Sequence, residues 1–187
     1  MRPFRVVVTG SECTGKTTLA RDVARHFDAP WSEEAVRSFV AAEGRVPEAR
    51  DVLAIARAQV EAEEHAVDAA GALVVHDTDL LSTIVYSRHY FGACPAGVES
   101  EAADRLPSLY VLAGTDVVWA ADGDQRDRPF ARREIQALFR VAVIASGARR
   151  IEVAGPPHER VGQVLAAIAR VRRNARTLRA RRESPLQ

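Results

Sequence analysis

The sequence predicts an α/β fold, in which a mostly parallel sheet of five strands carries helices on both faces. Short runs rich in β-branched and other apolar residues alternate with longer segments whose apolar residues recur at helical spacing. This alternation is typical of a parallel sheet that is covered on both sides. No internal repeat and no linker rich in proline, glycine or serine interrupts the pattern, which favours a single domain.

The predicted strands are short and the predicted helices are longer. Strands are expected at 6–9, 72–77, 109–114 and 149–155, and 28–31 is expected to be a turn into a further short strand or a loop. Helices are expected at 16–27, 33–44, 48–70, 80–91, 131–146 and 156–171, with one more short helix inside the loop segment 92–107. Gly44 and Gly71 follow two of these helices, as glycine often does after a helix C-terminus.

Composition and charge argue against several classes of protein. The formal net charge is only +1, so the chain as a whole is not a polyanion-binding protein. No apolar run approaches about 18 residues, and we therefore expect no membrane span and no signal peptide. Cys13 and Cys94 lie far apart without CxxC spacing, which argues against a disulfide framework or a structural zinc site and makes a reducing cytoplasm the expected location.

The segment Gly10–Thr17, GSECTGKT, matches the nucleotide-binding motif GxxxxGK[ST] without a mismatch. It follows a predicted strand and precedes a predicted helix, as its mechanism requires. The glycines let backbone N–H groups surround a phosphate, and the helix start adds the positive end of its dipole. Lys16 is the only lysine in a chain that otherwise uses arginine, which indicates a narrow site that needs a compact charge on a thin stem. We therefore predict a nucleoside triphosphate site.

Within this motif, Lys16 is expected to reach the β- and γ-phosphate oxygens, and the Thr17 hydroxyl is expected to bind the Mg²⁺ of MgATP. Cys13 is either an inert small residue or a reactive thiol that bound nucleotide would protect from alkylation. The predicted nucleotide-binding residues of the motif are Gly10, Glu12, Cys13, Thr14, Gly15, Lys16, Thr17 and Thr18.

Two aspartates follow the predicted strand 72–77. Asp77 stands at the strand end, where a carboxylate can hold the metal through water. Asp79 opens the following helix, and it is either a proton acceptor that faces the cleft or a helix N-cap. Glu34 is the competing candidate for the proton acceptor. Ligands of open α/β sheets bind beyond the carboxyl ends of the strands, which suits both aspartates.

Two further segments carry candidate binding residues. In WSEEAVR, Trp31 could stack on a flat ring, Glu34 could contact sugar hydroxyls and Arg37 could bind phosphate, although each is individually more often a core or surface residue. The segment WAADGDQRDR, 119–128, is predicted to be a lid whose arginines close over the phosphates and exclude water. Transfer to a small molecule is therefore favoured over hydrolysis, and a nucleotide-dependent switch or ATPase module is the alternative.

With GSECTGKTTLA, WSEEAVRSFV, HDTD and WAADGDQR in this order, the chain resembles the nicotinamide riboside kinase domain of the bacterial bifunctional NMN adenylyltransferase/ribosylnicotinamide kinase family. The resemblance extends from Val6 to about Val171. It implies a three-layer P-loop kinase fold that uses ATP and Mg²⁺ to phosphorylate a ribosyl 5′-hydroxyl, most simply converting nicotinamide riboside to NMN. We expect a stand-alone domain, because the sequence contains no adenylyltransferase portion. Another nucleoside or small metabolite is the alternative acceptor.

The resemblance also implies roles for individual residues. The implied catalytic residues are Lys16, Asp79 and Arg126, and the implied metal ligands are Thr17 and Asp77. Acceptor binding is assigned to Trp31, Glu34, Arg37, Asp79, Trp119 and Asp122. The lid reads D-G-D-Q-R where the expected pattern is D-G-x-R, so that Arg126 and Arg128 are both candidates for contact with the nucleotide phosphates.

The chain is therefore divided into a kinase domain at 1–171, with its lid at about 117–131, and a basic tail at 172–187. Seven arginines lie between Arg170 and Gln187. A solvated extension of the last helix is favoured over a contact with nucleic acid. The expected partner is a nucleoside, no membrane is involved, and a homo-oligomer is compatible with the sequence.

The lysine of the motif gives the first testable prediction. We expect Lys16→Ala to weaken ATP binding strongly and to abolish phosphoryl transfer almost completely, because no other residue of the motif carries a positive charge. Calorimetric titration with MgATP measures the binding, and transfer of labelled phosphate measures the reaction. Wild-type affinity for ATP in this variant would contradict the predicted triphosphate site.

Overall fold

The computed structural model describes residues 2–117 and 129–183 of the chain. The strands are β1 (Phe4–Thr9), β2 (Trp31–Ser32), β3 (Leu73–Asp77), β4 (Leu109–Ala113) and β5 (Arg150–Val153). The helices are α1 (Lys16–His26), α2 (Ala35–Glu43), α3 (Val52–Asp68), α4 (Leu80–Phe91), α5 (Ala96–Asp104), α6 (Pro129–Ala145) and α7 (Pro157–Glu183). A 3₁₀ turn, Ala49–Asp51, leads into α3.

The five strands form one sheet in the order β2-β3-β1-β4-β5, and all neighbouring strands are parallel. β1 lies in the centre, where Val8 is in register with Asp77 of β3 and with Val111 of β4. The carboxyl ends of β1 and β3 therefore meet at one edge of the sheet. The chain order reverses around β1, and in open α/β sheets such a reversal opens a crevice for ligands.

β1 is buried on both faces because each side of the sheet has its own layer of helices. Val6 and Val8 pack in one apolar cluster with α1 and α7, whereas Val7 packs in a second cluster with α4 and α6. All three valines have no exposed surface. This double burial explains why the strand reads as a continuous apolar run rather than as an alternating one. A third cluster joins α3, α4 and α5.

The predicted α/β class and the five-stranded parallel sheet are confirmed. Gly44 ends α2 in the left-handed conformation, with φ of 63°, as expected of a glycine at that position. The backbone of α7 continues to Glu183, so that most of the predicted tail is helical. Most of the predicted lid falls on 118–128, outside the described residues, and the domain limit at 171 stays a prediction. None of the described helices is long and apolar enough to cross a membrane.

The second apolar cluster allows a test of the packing. Phe139 of α6 is fully buried and meets the ring of Tyr86 edge to face, with the ring centroids 5.3 Å apart. We expect Phe139→Ala to lower the free energy of unfolding by about 3–5 kcal/mol, because the truncation leaves a cavity. Val141→Ala, on the exposed side of the same helix, should change it by less than about 0.5 kcal/mol. Equal losses in urea unfolding of the two variants would contradict this packing.

Candidate phosphate-binding and acceptor site

The loop between β1 and α1 has three residues with positive φ: Gly10 at 134°, Cys13 at 51° and Gly15 at 78°. A Cβ at Gly10 would lie 3.0 Å from the backbone oxygen of Ala113, so that only glycine lets the loop pass this close to β4. Left-handed residues allow successive N–H groups of such a loop to point towards a common centre. The loop thus has the backbone conformation that the motif predicts for phosphate binding.

A glutamine from the far half of the sequence ties this loop to the sheet. Gln136 of α6 accepts a hydrogen bond from the Ser11 N–H at 2.9 Å and donates one to the Ala113 oxygen at 3.0 Å. The side chain is buried, so both hydrogen bonds are shielded from water. Sequence reasoning missed Gln136, because a single glutamine on an amphipathic helix gives no signal of this contact.

Two buried arginines hold the loop carbonyls. Arg132 of α6 donates to the Cys13 oxygen at 2.9 Å, and Arg160 of α7 donates to the Thr14 oxygen at 2.8 Å. Arg160 also forms an ion pair with Asp116 at 2.5 Å. Because the two arginines bind carbonyl oxygens, they hold this part of the loop and leave its N–H groups to a phosphate. Nothing in the sequence distinguishes these two arginines from the other 23.

Lys16 lies against its own loop. Its buried Nζ donates to the backbone oxygen of Ser11 at 2.9 Å. A phosphate oxygen is a stronger acceptor than this neutral carbonyl, because a hydrogen bond between two charged groups is shorter and stronger. The lysine is therefore placed to exchange the Ser11 oxygen for a phosphate. Thr18, two residues on, lies on the exposed side of α1.

Thr17 and Asp77 form the pair that could hold a metal. The Thr17 hydroxyl donates to Asp77 Oδ2 at 2.5 Å, while Asp77 Oδ1 is buried without a hydrogen-bond partner among the described residues. Burial, and after it the charge of Glu34, raise the pKa of Asp77. No group of three or more His, Cys, Asp or Glu in the described residues could hold a metal by itself. The hydroxyl and the unsatisfied carboxylate oxygen fit Mg²⁺, which usually takes its other ligands from phosphates and water.

Asp79 does not share the surroundings of Asp77. Thr78 between them has φ of 68°, which is strained for a β-branched residue and turns the chain sharply. Asp79 Oδ1 accepts from the Leu81 N–H at 3.1 Å as the N-cap of α4, and Oδ2 accepts from the Tyr110 hydroxyl at 2.6 Å. Both oxygens thus have internal partners, and Asp79 is the helix N-cap that the sequence left open as an alternative.

A buried polar network continues from Asp79 behind the site. Glu63 of α3 is 1% exposed and accepts from Arg5 at 2.8 Å and from Arg105 at 3.4 Å. Gln59, one turn earlier on α3, donates to Glu63 Oε1 at 3.4 Å and accepts from the Ala35 N–H at 2.9 Å. The network therefore fixes the start of α2, directly after Glu34. None of this network was identified from the sequence.

A cavity of about 450 Å³ opens between the phosphate loop and helices α2, α3 and α4. Of the predicted site residues, its walls include Glu12, Cys13, Lys16, Glu34 and Arg37. The aromatic residues of its wall, among those that the structure describes, are Tyr86, Tyr90 and Phe91 of α4, and none of them was predicted from the sequence. The spacing of four residues between the two tyrosines puts them on one face of the helix and is the signal that could have revealed them. Their rings stack with centroids 6.0 Å apart.

Other predicted residues lie elsewhere. Trp31 is not in the cavity wall; its ring packs against the apolar cluster of α1 and α7, and the Arg21 guanidinium lies 4.9 Å from the ring centre. The core alternative for this tryptophan therefore applies. The predicted lid residues fall within 118–128, outside the described residues; they are Trp119, Asp122, Arg126 and Arg128.

A family model described as an AAA domain matches residues 5–160, and the chain therefore belongs to this family. No curated protein matches the sequence. Among solved structures, a NadR protein in complex with NR, nicotinamide riboside, has a TM-score of 0.74 at 25% sequence identity, over 82% of this chain and 46% of that chain. A NadR protein in complex with NAD and AMP-PNP has a TM-score of 0.74 at 24% identity, over 87% of this chain and 48% of that chain.

The chain spans about half the length of these two NadR chains. Thymidylate kinase from Ehrlichia chaffeensis has a TM-score of 0.69 at 12% identity, over 90% of this chain and 100% of that chain. These likenesses show that the fold is the P-loop kinase-like α/β fold.

The buried network gives a pH prediction. Burial, and after it the charge of Asp79, raise the pKa of Glu63 to about 7 from its ordinary value of 4.5, against the lowering effect of Arg5 and Arg105. Between these two values the folded protein binds more protons than the unfolded chain, so stability falls as pH rises, by up to about 3 kcal/mol. Glu63→Gln should show a smaller fall, since it cannot titrate.

Urea unfolding at about pH 5 and at about pH 7.5 measures how much the free energy of unfolding falls with pH in each protein. Glu64→Gln, at the exposed neighbouring position, is the control and should keep the wild-type dependence. The same change in stability for Glu63→Gln and the wild type would show that Glu63 does not hold its proton in the folded protein.

Proposed function

We propose that this member of the AAA domain family is an ATP-dependent small-molecule kinase, which transfers the γ-phosphate of MgATP to a ribosyl 5′-hydroxyl. Nicotinamide riboside, which would become NMN, is the acceptor that we put first, and another nucleoside is the second. The observation that carries the proposal is the cavity, whose wall includes both Lys16 of the phosphate loop and the aromatic rings of α4. A phosphoryl donor and a flat-ringed acceptor could meet there in a single space.

The cavity is long enough to hold an organic acceptor and not only water molecules. Ser82 and Tyr90 both line it, and eight residues of helix separate them by roughly 12 Å at 1.5 Å per residue. Stacked tyrosine rings provide a surface on which a planar base packs well. The NadR structure in complex with NR supports a nucleoside as the acceptor, because that protein has the same fold at 25% identity.

The charges of the cavity favour a nucleoside over a nucleotide as acceptor. Among the described residues of its wall, the acids Glu12 and Glu34 balance the bases Lys16 and Arg37. The Arg37 guanidinium is also paired with Glu34 at 3.3 Å. An acceptor that carried its own phosphate would need additional positive charge. We therefore propose that the acceptor is not phosphorylated, in contrast to the substrate in the name of thymidylate kinase.

Glu34 is the residue that we propose as the proton acceptor. It is 9% exposed, it lines the cavity, and its charge acts on Asp77, so it lies near the phosphate loop. In the reaction, the acceptor oxygen forms a bond to the γ-phosphorus while the bond from that phosphorus to the bridging oxygen of ADP breaks. The hydroxyl proton passes to Glu34 and then to solvent. Asp79 is not proposed for this role, because both of its oxygens already have partners.

The remaining residues bind and orient the nucleotide. The N–H groups of the loop and Lys16 would hold the phosphates, and Thr17 and Asp77 would hold Mg²⁺. When bound, Mg²⁺ would neutralise part of the phosphate charge. Arg126 or Arg128 of the lid, with Trp119 and Asp122, stays a candidate for closing the site. Because the transition state of phosphoryl transfer is loose, positioning contributes more than the strength of the base.

A phosphorylation screen with MgATP tests the proposed function. We expect phosphate transfer to nicotinamide riboside or to another ribonucleoside, with little transfer to thymidine monophosphate and little ATP hydrolysis without an acceptor. Mass spectrometry of the acceptor identifies the product. Steady hydrolysis of ATP that no acceptor accelerates would contradict the kinase proposal and favour the ATPase or switch alternative.

The role of Glu34 is tested separately. We expect Glu34→Gln to lower kcat by on the order of 10²-fold with a small change in KM for ATP, because the amide cannot take the proton. Glu33→Gln is the matched control, since Glu33 is exposed and pairs with Arg21 outside the cavity wall. Wild-type kcat in Glu34→Gln would remove Glu34 from the mechanism.

A further inference from the structure

Glu12 is a P-loop carboxylate that the binding of ATP does not explain. It follows Gly10 and Ser11 in the loop, and it lines the cavity. Its Oε2 is buried without a hydrogen-bond partner among the residues that the structure describes. A carboxylate also repels the phosphates of a nucleotide, so its place beside the triphosphate needs a different reason.

Tyr86 lies beside this carboxylate. Both residues line the cavity, and burial, followed by the charge of Glu12, raises the pKa of the tyrosine. A carboxylate oxygen can accept about two hydrogen bonds, and Oε2 accepts none from the described residues. Rotation about the last side-chain torsion of a glutamate is soft and would bring Oε2 to the cavity at little cost.

The position of Glu12 determines which part of an acceptor it would meet. The reacting hydroxyl must lie beside the γ-phosphate, hence next to the P-loop and Lys16. The group that carries this hydroxyl is the sugar, and the base would then extend along α4 towards Tyr90 and Phe91, which line the cavity. Glu12 would therefore face the sugar, which offers hydroxyl donors to an unsatisfied carboxylate.

We propose that Glu12 recognises the acceptor sugar: its carboxylate accepts a hydrogen bond from a ring hydroxyl other than the one that is phosphorylated. The acceptor class is then a ribonucleoside with free ring hydroxyls, and 2′-deoxy or 3′-deoxy nucleosides are poor acceptors. This inference rests on the proposed kinase function.

Acceptor kinetics test the proposal without first altering the protein. The wild-type enzyme is assayed with nicotinamide riboside and with its 2′-deoxy and 3′-deoxy analogues. If another ribonucleoside is the better acceptor in the screen, its own deoxy analogues are used. We expect kcat/KM to fall by roughly 10- to 100-fold for at least one analogue, the size expected for losing a hydrogen bond to a charged group. Equal kcat/KM for all three compounds would overturn the inference.

Glu12→Ala and the more conservative Glu12→Gln then link this discrimination to the residue. Both variants should lose activity mainly towards the ribonucleoside, so that the ratio of ribo to deoxy kcat/KM approaches one. Their Kd for MgADP should stay within about twofold of the wild type, because the loop would hold the phosphates through its backbone N–H groups, which a change of the Glu12 side chain keeps. Full discrimination in both variants would overturn the inference.

Glu34→Gln is the comparison variant. It should lower kcat with the ribonucleoside and the deoxynucleoside alike and keep the wild-type ratio, since Glu34 acts on the reacting hydroxyl. The two hypotheses fail in different ways. Phosphorylation of ribo and deoxy acceptors at equal rates contradicts only the role of Glu12, whereas an enzyme that phosphorylates no nucleoside contradicts the proposed function and the inference with it.

Discussion

The shape of the phosphate loop depends on hydrogen bonds that hold its backbone from behind. Arg132 contacts the Cys13 oxygen across 119 positions of sequence, and Arg160 contacts the Thr14 oxygen across 146. A hydrogen bond from a charged donor contributes about 1.5–3 kcal/mol, and more is lost when a buried partner is left unsatisfied. The N-terminal motif is therefore complete only when α6 and α7 are packed on the sheet. Phosphate binding therefore depends on the packing of the last two helices.

At the carboxyl end of β3, two aspartates that are close in sequence lie in two different polar regions. Asp77 faces the phosphate loop through Thr17, whereas Asp79 belongs to a network buried behind the site. The left-handed conformation of Thr78 produces this separation, and strain of this kind is commonly found at functional sites. The buried network then returns to the site through Gln59, which fixes the start of α2. The position of Glu34 thus depends on Gln59, which lines the cavity and links it to the buried network.

Local patterns in the sequence predicted the fold well, since strands, helices and the phosphate loop each leave a signal within a few residues. The loop and Lys16 followed from spacing alone, and Asp77 followed from its place after a strand. Asp79 lies in the buried network and not beside Asp77 because Thr78 between them adopts a left-handed conformation, and residue spacing does not reveal such a conformation. Likewise, the contact between Gln136 and Ser11 joins segments 125 residues apart, and no local pattern reports it. The aromatic face of α4 did carry a signal, but apolar spacing on a helix usually indicates core packing.

A crystal structure of the protein with Mg²⁺ and a non-hydrolysable ATP analogue tests the central claim most directly. The account predicts the β-phosphate inside the loop, with Lys16 Nζ moved from the Ser11 oxygen onto phosphate and the metal beside Thr17 and Asp77. It also predicts that Arg132 and Arg160 keep their contacts with the loop carbonyls. A nucleotide bound elsewhere, with Lys16 still on Ser11, would contradict the account.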